Sequence, residues 1–157
     1  MKITLLVVGK TTDRHVEALI QDYSNRLGHY VGFDLTVIPE LRNTKNLTEQ
    51  QQKTAEAKLI LAQLQPSDHL VLLDEHGRMY RSVEFAQYIQ KKQNSVPRRL
   101  VFLIGGPYGF DSSVYDRADD KVSLSPMTFS HQMIRLIFVE QLYRAYTILR
   151  NEPYHHE

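Results

Sequence analysis

The residues best equipped for chemistry sit in the last third of the chain. Leu124-Ser125-Pro126-Met127-Thr128-Phe129 is a stretch of small and apolar residues that leads into a helical pattern carrying His131 and Arg135. Apolar loops are rare at surfaces, so this one is expected to be buried or to wrap something flat and apolar such as adenine. His131 and Arg135 are four apart and share a helix face near the positive helix N-terminus, where anionic groups are favoured. A lone helix histidine also reads as structural. Further along the same helix, Glu140 and Arg144 are four apart and read as a surface ion pair worth a few tenths of a kcal/mol. After Pro153, Tyr154 and His155 form a short tail. Such tails are commonly disordered, but an aromatic ring beside an imidazole can also stack on a base.

Two earlier segments complete the set. The run Leu100-Val101-Phe102-Leu103-Ile104 leads directly into Gly105-Gly106-Pro107-Tyr108-Gly109. Paired glycines at a strand end let a backbone turn sharply and approach a ligand; they equally serve a tight strand-to-helix turn. The pattern is neither the dinucleotide-binding G-x-G-x-x-G nor a Walker P-loop, so phosphate-cradle readings lose their support. In Leu72-Leu73-Asp74-Glu75-His76-Gly77, the two carboxylates can take ribose hydroxyls, act as a base, or belong to a solvated turn.

The elements that must position these groups alternate in type. Strands are expected at Ile3–Val8, Phe33–Ile38, His69–Leu73 and Arg99–Ile104, with a short fifth marked by Val122 and Leu124. Helices are expected from Val16 to Leu27, from a Thr48 cap with Gln51 reaching back to about Leu64, from a Ser82 cap, from an Asp111 cap to about Ala118, and from Phe129 to Arg150. In the second helix Ala55, Leu59, Ala62 and Leu64 are available for burial; in the third, Phe85, Ala86 and Ile89 face inward. Glu40–Leu47 reads as a loop and Asp74–Gly77 as a turn. Strands alternating with helices of this length predict an α/β fold with a mostly parallel sheet and helices on both faces. There is no repeat or linker, so residues 1–157 are read as a single domain.

Composition limits the function classes. The 157 residues are 42% hydrophobic and 24% charged, which suits one soluble globular domain. No cysteine is present, which removes disulfides, zinc–thiolate sites and thiol nucleophiles. The seven histidines show no convincing metal-ligand spacing, so no metal is expected. The N-terminal apolar run stops at Val8, before Lys10, and no stretch approaches a membrane span, so a cytoplasmic protein without a membrane partner is expected. A formal net charge of +1 means that any RNA binding must rely on local positive charge or on two chains combining their surfaces.

Together these segments resemble the SPOUT-class methyltransferases with a trefoil knot. The chain is most similar to their short, single-domain family that methylates N3 of a pseudouridine in 23S ribosomal RNA. The resemblance runs through nearly the whole sequence. It is carried by Met1-Lys2-Ile3, Val8-Gly9-Lys10, Leu72-Leu73-Asp74, Ile104-Gly105-Gly106-Pro107-Tyr108-Gly109, Leu124-Ser125 and Met127-Thr128-Phe129. It continues in His131-Gln132-Met133-Ile134-Arg135, Glu140-Gln141-Leu142-Tyr143-Arg144-Ala145 and Pro153-Tyr154-His155. Ser130 stands where the family usually has a proline or similar residue.

The resemblance implies a C-terminal trefoil knot, a topology that connection rules alone reject. It implies S-adenosylmethionine as co-substrate, held by Leu73, Gly105, Gly106 and the segment Leu124, Ser125, Pro126, Met127, Thr128 and Phe129. It implies a homodimer, with the apolar face of the last helix as a plausible interface and one chain's tail completing the other's site. The partner is 23S rRNA, with the assembled ribosome as a source of further contacts. The catalytic candidates are His131, Arg135, Arg144, Tyr154 and His155. Either histidine suits proton removal, and either arginine suits a developing negative charge or a phosphate. The competing readings are a SPOUT methyltransferase acting on transfer RNA or another rRNA nucleotide, and a non-catalytic RNA-binding module of ribosome assembly. A flavodoxin-type nucleotide binder lacks its phosphate loop after Gly9-Lys10-Thr11.

Overall fold

Residues Ile3, Leu5 and Val7 point to one side of the first strand and Thr4 and Leu6 to the other, and all five are buried. A strand buried on both faces belongs in the middle of a sheet covered on both sides. The computed structural model, which describes residues 1–156, has that architecture. The strands are β1 (Lys2–Val8), β2 (Gly32–Ile38), β3 (His69–Met79), β4 (Arg99–Ile104) and β5 (Asp120–Ser123). They form one sheet in the order β2-β1-β4-β3-β5, and every pairing is parallel. The helices are α1 (Arg14–Leu27), α2 (Glu49–Ala62), α3 (Ser82–Ser95), α4 (Ser112–Arg117) and α5 (His131–Leu149).

Two apolar clusters sandwich the sheet. On one side α1, α3 and α5 bury Leu27, Phe85, Ile89, Phe138 and Leu142 against Leu5, Leu100 and Phe102. On the other, α2 and α4 bury Ala57, Ile60 and Val114 against Leu6, Leu72, Val101 and Leu103. No helix among the described residues is long and apolar enough to cross a membrane.

Capping follows the local chemistry. Thr48 Oγ1 accepts from the Gln51 N–H while Gln51 Oε1 accepts from the Thr48 N–H, the expected reciprocal box. Ser130 Oγ accepts from the Met133 N–H at 3.1 Å, so α5 starts at His131 rather than at Phe129, and it ends at Leu149 rather than Arg150.

Four other sequence expectations are corrected. The expected turn at Asp74–Gly77 lies within β3, which runs on to Met79 across an irregularity in its pairing with β5. Gly77 makes this possible: a Cβ there would sit 2.6 Å from the Val122 backbone nitrogen. Leu124 falls just outside β5. Arg81, not Ser82, is the N-cap of α3, with Glu84 accepting its N–H, while Ser82 Oγ donates to Gln141 of α5. In α2 the buried residues are Ala57 and Ile60, whereas Leu59 is 38% exposed and Ala62 is exposed, because the sheet selects the face and α2 is apolar on more than one. Within Glu40–Leu47, a 3-10 turn forms over Thr44–Asn46. Of the tail, Glu157 lies outside the described residues.

Candidate active site

In open parallel sheets ligands bind beyond the carboxyl ends of the strands. Here the middle of β3, the ends of β4 and β5 and the first turn of α5 enclose a cavity of about 390 Å³, within the range of small-molecule sites. Leu73 lines it from within β3 and Gly105 and Gly106 from the end of β4; Leu124, Ser125, Met127, Thr128 and Phe129 line it from the segment before α5. His131, the first residue of α5, completes the wall. Of the sequence-derived donor residues, Pro126 alone is not in contact with this cavity.

Local hydrogen bonds shape the walls. Ser123 Oγ donates to the Ser125 carbonyl at 3.0 Å, and Ser125 Oγ accepts from the Met127 N–H at 2.9 Å, so the segment is folded by its own hydroxyls. Met127 is 74% exposed at the rim. Asp74 Oδ1 accepts from the His76 N–H, and its Oδ2 accepts from the Tyr115 hydroxyl at 2.7 Å. Burial, then Asp74, pushes the Tyr115 phenol up to about 12, so it stays a proton donor.

The glycines have a reason beyond ligand approach. A Cβ on Gly105 would meet the Phe110 ring at 2.6 Å, and one on Gly106 would collide with the Glu56 carboxylate. Glu56 Oε1 accepts from the Gly106 N–H at 3.1 Å. Glu56, Phe110 and Tyr115 therefore shape the site although no motif marked them. Only the packing of α2 and α4 against the glycine loop identifies them.

The other sequence candidates lie elsewhere in the chain. Arg135 is 2% exposed, and its guanidinium donates to the Val8 carbonyl at 2.8 Å and the Thr11 hydroxyl at 3.1 Å. Gln132 adds a second clamp, accepting from the Thr12 N–H at 2.7 Å. Arg135 thus binds the loop after β1 and does not share the cavity with His131. The reason lies in packing: α5 presents its first turn to two loops at once.

Arg144, Tyr154 and His155 form a separate cluster. Arg144 donates to Glu140 at 2.6 Å and lies 3.0 Å from His155 Nδ1 and over the Tyr154 ring. The Tyr154 hydroxyl donates to the same Glu140 oxygen and lies 3.2 Å from that of Tyr23. Thirteen positions along α5 separate Arg144 from His131, about 20 Å at the helical rise. Within one chain the tail and the cavity are therefore apart. Among the described residues, no three His, Asp or Glu side chains group as a metal site.

A parallel sheet with a cavity of about 390 Å³ at the carboxyl side of β4 and β5, walled by the segment that leads into a long final helix, has the arrangement of a ligand-binding α/β protein. A family model described as a predicted SPOUT methyltransferase matches residues 1–155, and the chain belongs to that family. Similar proteins include the ribosomal RNA large subunit methyltransferase H of Phocaeicola vulgatus, 63% identical over 157 residues with all of both chains covered. The proteins of the same name from Bacteroides fragilis and Flavobacterium psychrophilum are 61% and 54% identical, again with all of both chains covered.

Proposed function

We propose that this chain transfers the methyl group of S-adenosylmethionine to N3 of a pseudouridine in 23S ribosomal RNA, in the cytoplasm and as a homodimer. One observation carries the reading: the strand-end glycines and the Leu124–Phe129 segment converge on a single cavity, in a chain whose full-length relatives are named as large-subunit rRNA methyltransferases.

The lining suits the donor. Ile104, Phe110 and Leu124 offer apolar surface for an adenine ring, while Asp74 and His131 offer polar atoms for the ribose and the amino-acid end. Bound there, S-adenosylmethionine supplies a methyl group on a sulfonium for in-line displacement, and the chain's part is to orient donor and acceptor. Arg135 keeps the loop after β1 in place beside the site. The separation of the tail cluster from the cavity supports a composite site, in which Arg144, Tyr154 and His155 of one chain meet the donor held by the other. In this reading His155, released from its contact with Arg144, takes the N3 proton, and Arg144 stabilises charge on the neighbouring carbonyl oxygen. The C-terminal threading of the family belongs to this reading.

The test is a methylation assay with purified protein and labelled donor on free rRNA, large subunits and whole ribosomes, followed by mapping of the product. Label on one pseudouridine of 23S rRNA is expected. Label on another rRNA nucleotide or on transfer RNA moves the assignment within the family. Binding of RNA without donor binding returns the chain to a non-catalytic module.

A further inference from the structure

Two adjacent glycines cannot hold a wall in shape by themselves. Glycine has the widest backbone freedom of any residue, and ordering it costs the most entropy. A cavity wall built on Gly105 and Gly106 therefore needs bracing from outside. The brace is α2, which grips the loop at two points: Glu56 Oε1 accepts from the Gly106 N–H at 3.1 Å, and Gln50 Nε2 donates to Asp111 Oδ1 at 2.8 Å. The Glu56 carboxylate also occupies the space that any side chain at position 106 would need.

Placing this carboxylate is not free. Glu56 is half-buried, and burial pushes its carboxyl above the ordinary value. The Gly106 N–H and the attraction of the His131 imidazole oppose that shift. A charge kept out of water in this way is compensated by the contacts it organises.

We propose that Glu56 is a positioning residue for the methyl-donor site: from outside the cavity it fixes the Gly106 peptide and so preorganises the wall on which the donor lies. The proposal rests on the methyl-transfer reading above. Preorganisation of this kind appears in affinity, because an unbraced loop must be ordered at the moment of binding.

The experiment is calorimetric titration of the full chain with S-adenosylmethionine, alongside steady-state methylation of ribosomal substrate and thermal melts of every variant. Glu56→Ala is expected to raise donor Kd and donor KM together by about tenfold, the worth of one hydrogen bond to a charged acceptor, with a much smaller change in kcat. Glu56→Gln keeps an oxygen able to accept the Gly106 N–H and is expected to restore most of the affinity. Glu56→Asp keeps the charge, shortens the reach and is expected to bind as weakly as the alanine variant. Gly106→Ala is expected to weaken donor binding in the parent but to add little in the Glu56→Ala background, since the colliding carboxylate is then gone.

A folded Glu56→Ala chain with the parent's Kd overturns the proposal. So does a Glu56→Gln chain as weak as Glu56→Ala or, if the alanine variant does not fold, a Glu56→Asp chain with full affinity. No heat from the parent itself brings down the methyl-transfer reading and this proposal together, which separates the two failures.

Discussion

Arg135 is a cation with almost no contact with water, and its surroundings on balance lower its pKa from the ordinary, very high arginine value. Burial weighs against its charge, and the nearby Glu40 carboxylate opposes that effect. Its two hydrogen bonds hold the end of β1 and the loop that follows. Truncating it leaves the Val8 carbonyl and the Thr11 hydroxyl without this partner. Arg135→Ala is therefore expected to destabilise the fold by about 3 kcal/mol, read from the urea midpoint. Lysine should recover only part of this, because an ammonium cannot reproduce the planar fork that reaches two acceptors. His155 makes the opposite case. It lies on the tail, away from the core and from its own chain's cavity. His155→Ala should bind S-adenosylmethionine like the parent and lose turnover; undiminished methylation by that variant would exclude the tail from the chemistry.

Among the elements, α5 links the most parts of the site. Its first turn carries His131 into the cavity wall and Gln132 and Arg135 onto the loop after β1, and its last turns carry the tail cluster. The Ser130 cap sets where that first turn begins. Ser130→Ala is expected to cost about 1 kcal/mol of stability. It should also weaken donor binding, because fraying displaces His131; a variant that loses stability with donor affinity intact would show that the cap serves the helix alone. Most elements were legible from periodicity and caps, as with Thr48 and Gln51. The second half of β3, beyond Leu73, was not, because Asp74-Glu75-His76-Gly77 has the composition of a turn. Its extended form depends on Val122 packing against Gly77, a contact across 45 residues of sequence. The buried face of α2 was equally hidden, because a helix apolar on several sides does not say which side meets the sheet.

At the scale of the molecule, acid stability depends on carboxylates held among cations and hydrogen-bond donors. Asp68 has a side chain only 3% exposed and bonds the Arg99 guanidinium. Burial pushes its carboxyl up, but Arg99 and the Gln65 N–H outweigh burial and leave it below the usual range. Asp120 is likewise lowered on balance: burial raises it, and Lys92, Tyr88 and His69 more than reverse that. Groups depressed in the folded state add stability that is complete above their unfolded value, near pH 4, and is lost as the pH falls through the lower folded value. Urea midpoints should therefore drop as the pH is taken below about 4. Asp68→Asn should be less stable than the parent at neutral pH and lose less on acidification; a parallel pH profile would remove Asp68 from this account.

The sequence alone determined the alternation of strands and helices, the parallel sheet, the absence of thiol chemistry and the segments that meet at the cavity. All of these follow from local periodicity, composition and recognisable motifs. Only the tertiary structure decided that Glu56 braces Gly106, that Phe110 fills the space above Gly105, that Arg135 turns to the loop after β1, and that the tail cluster lies about 20 Å along α5 from His131. The physical reason is the same for each. Each depends on how two helix layers and their loops pack on one sheet, which for Glu56 with Gly106 and for Arg135 with Val8 joins residues far apart in the chain, and no pattern within a single element encodes the neighbour it will meet.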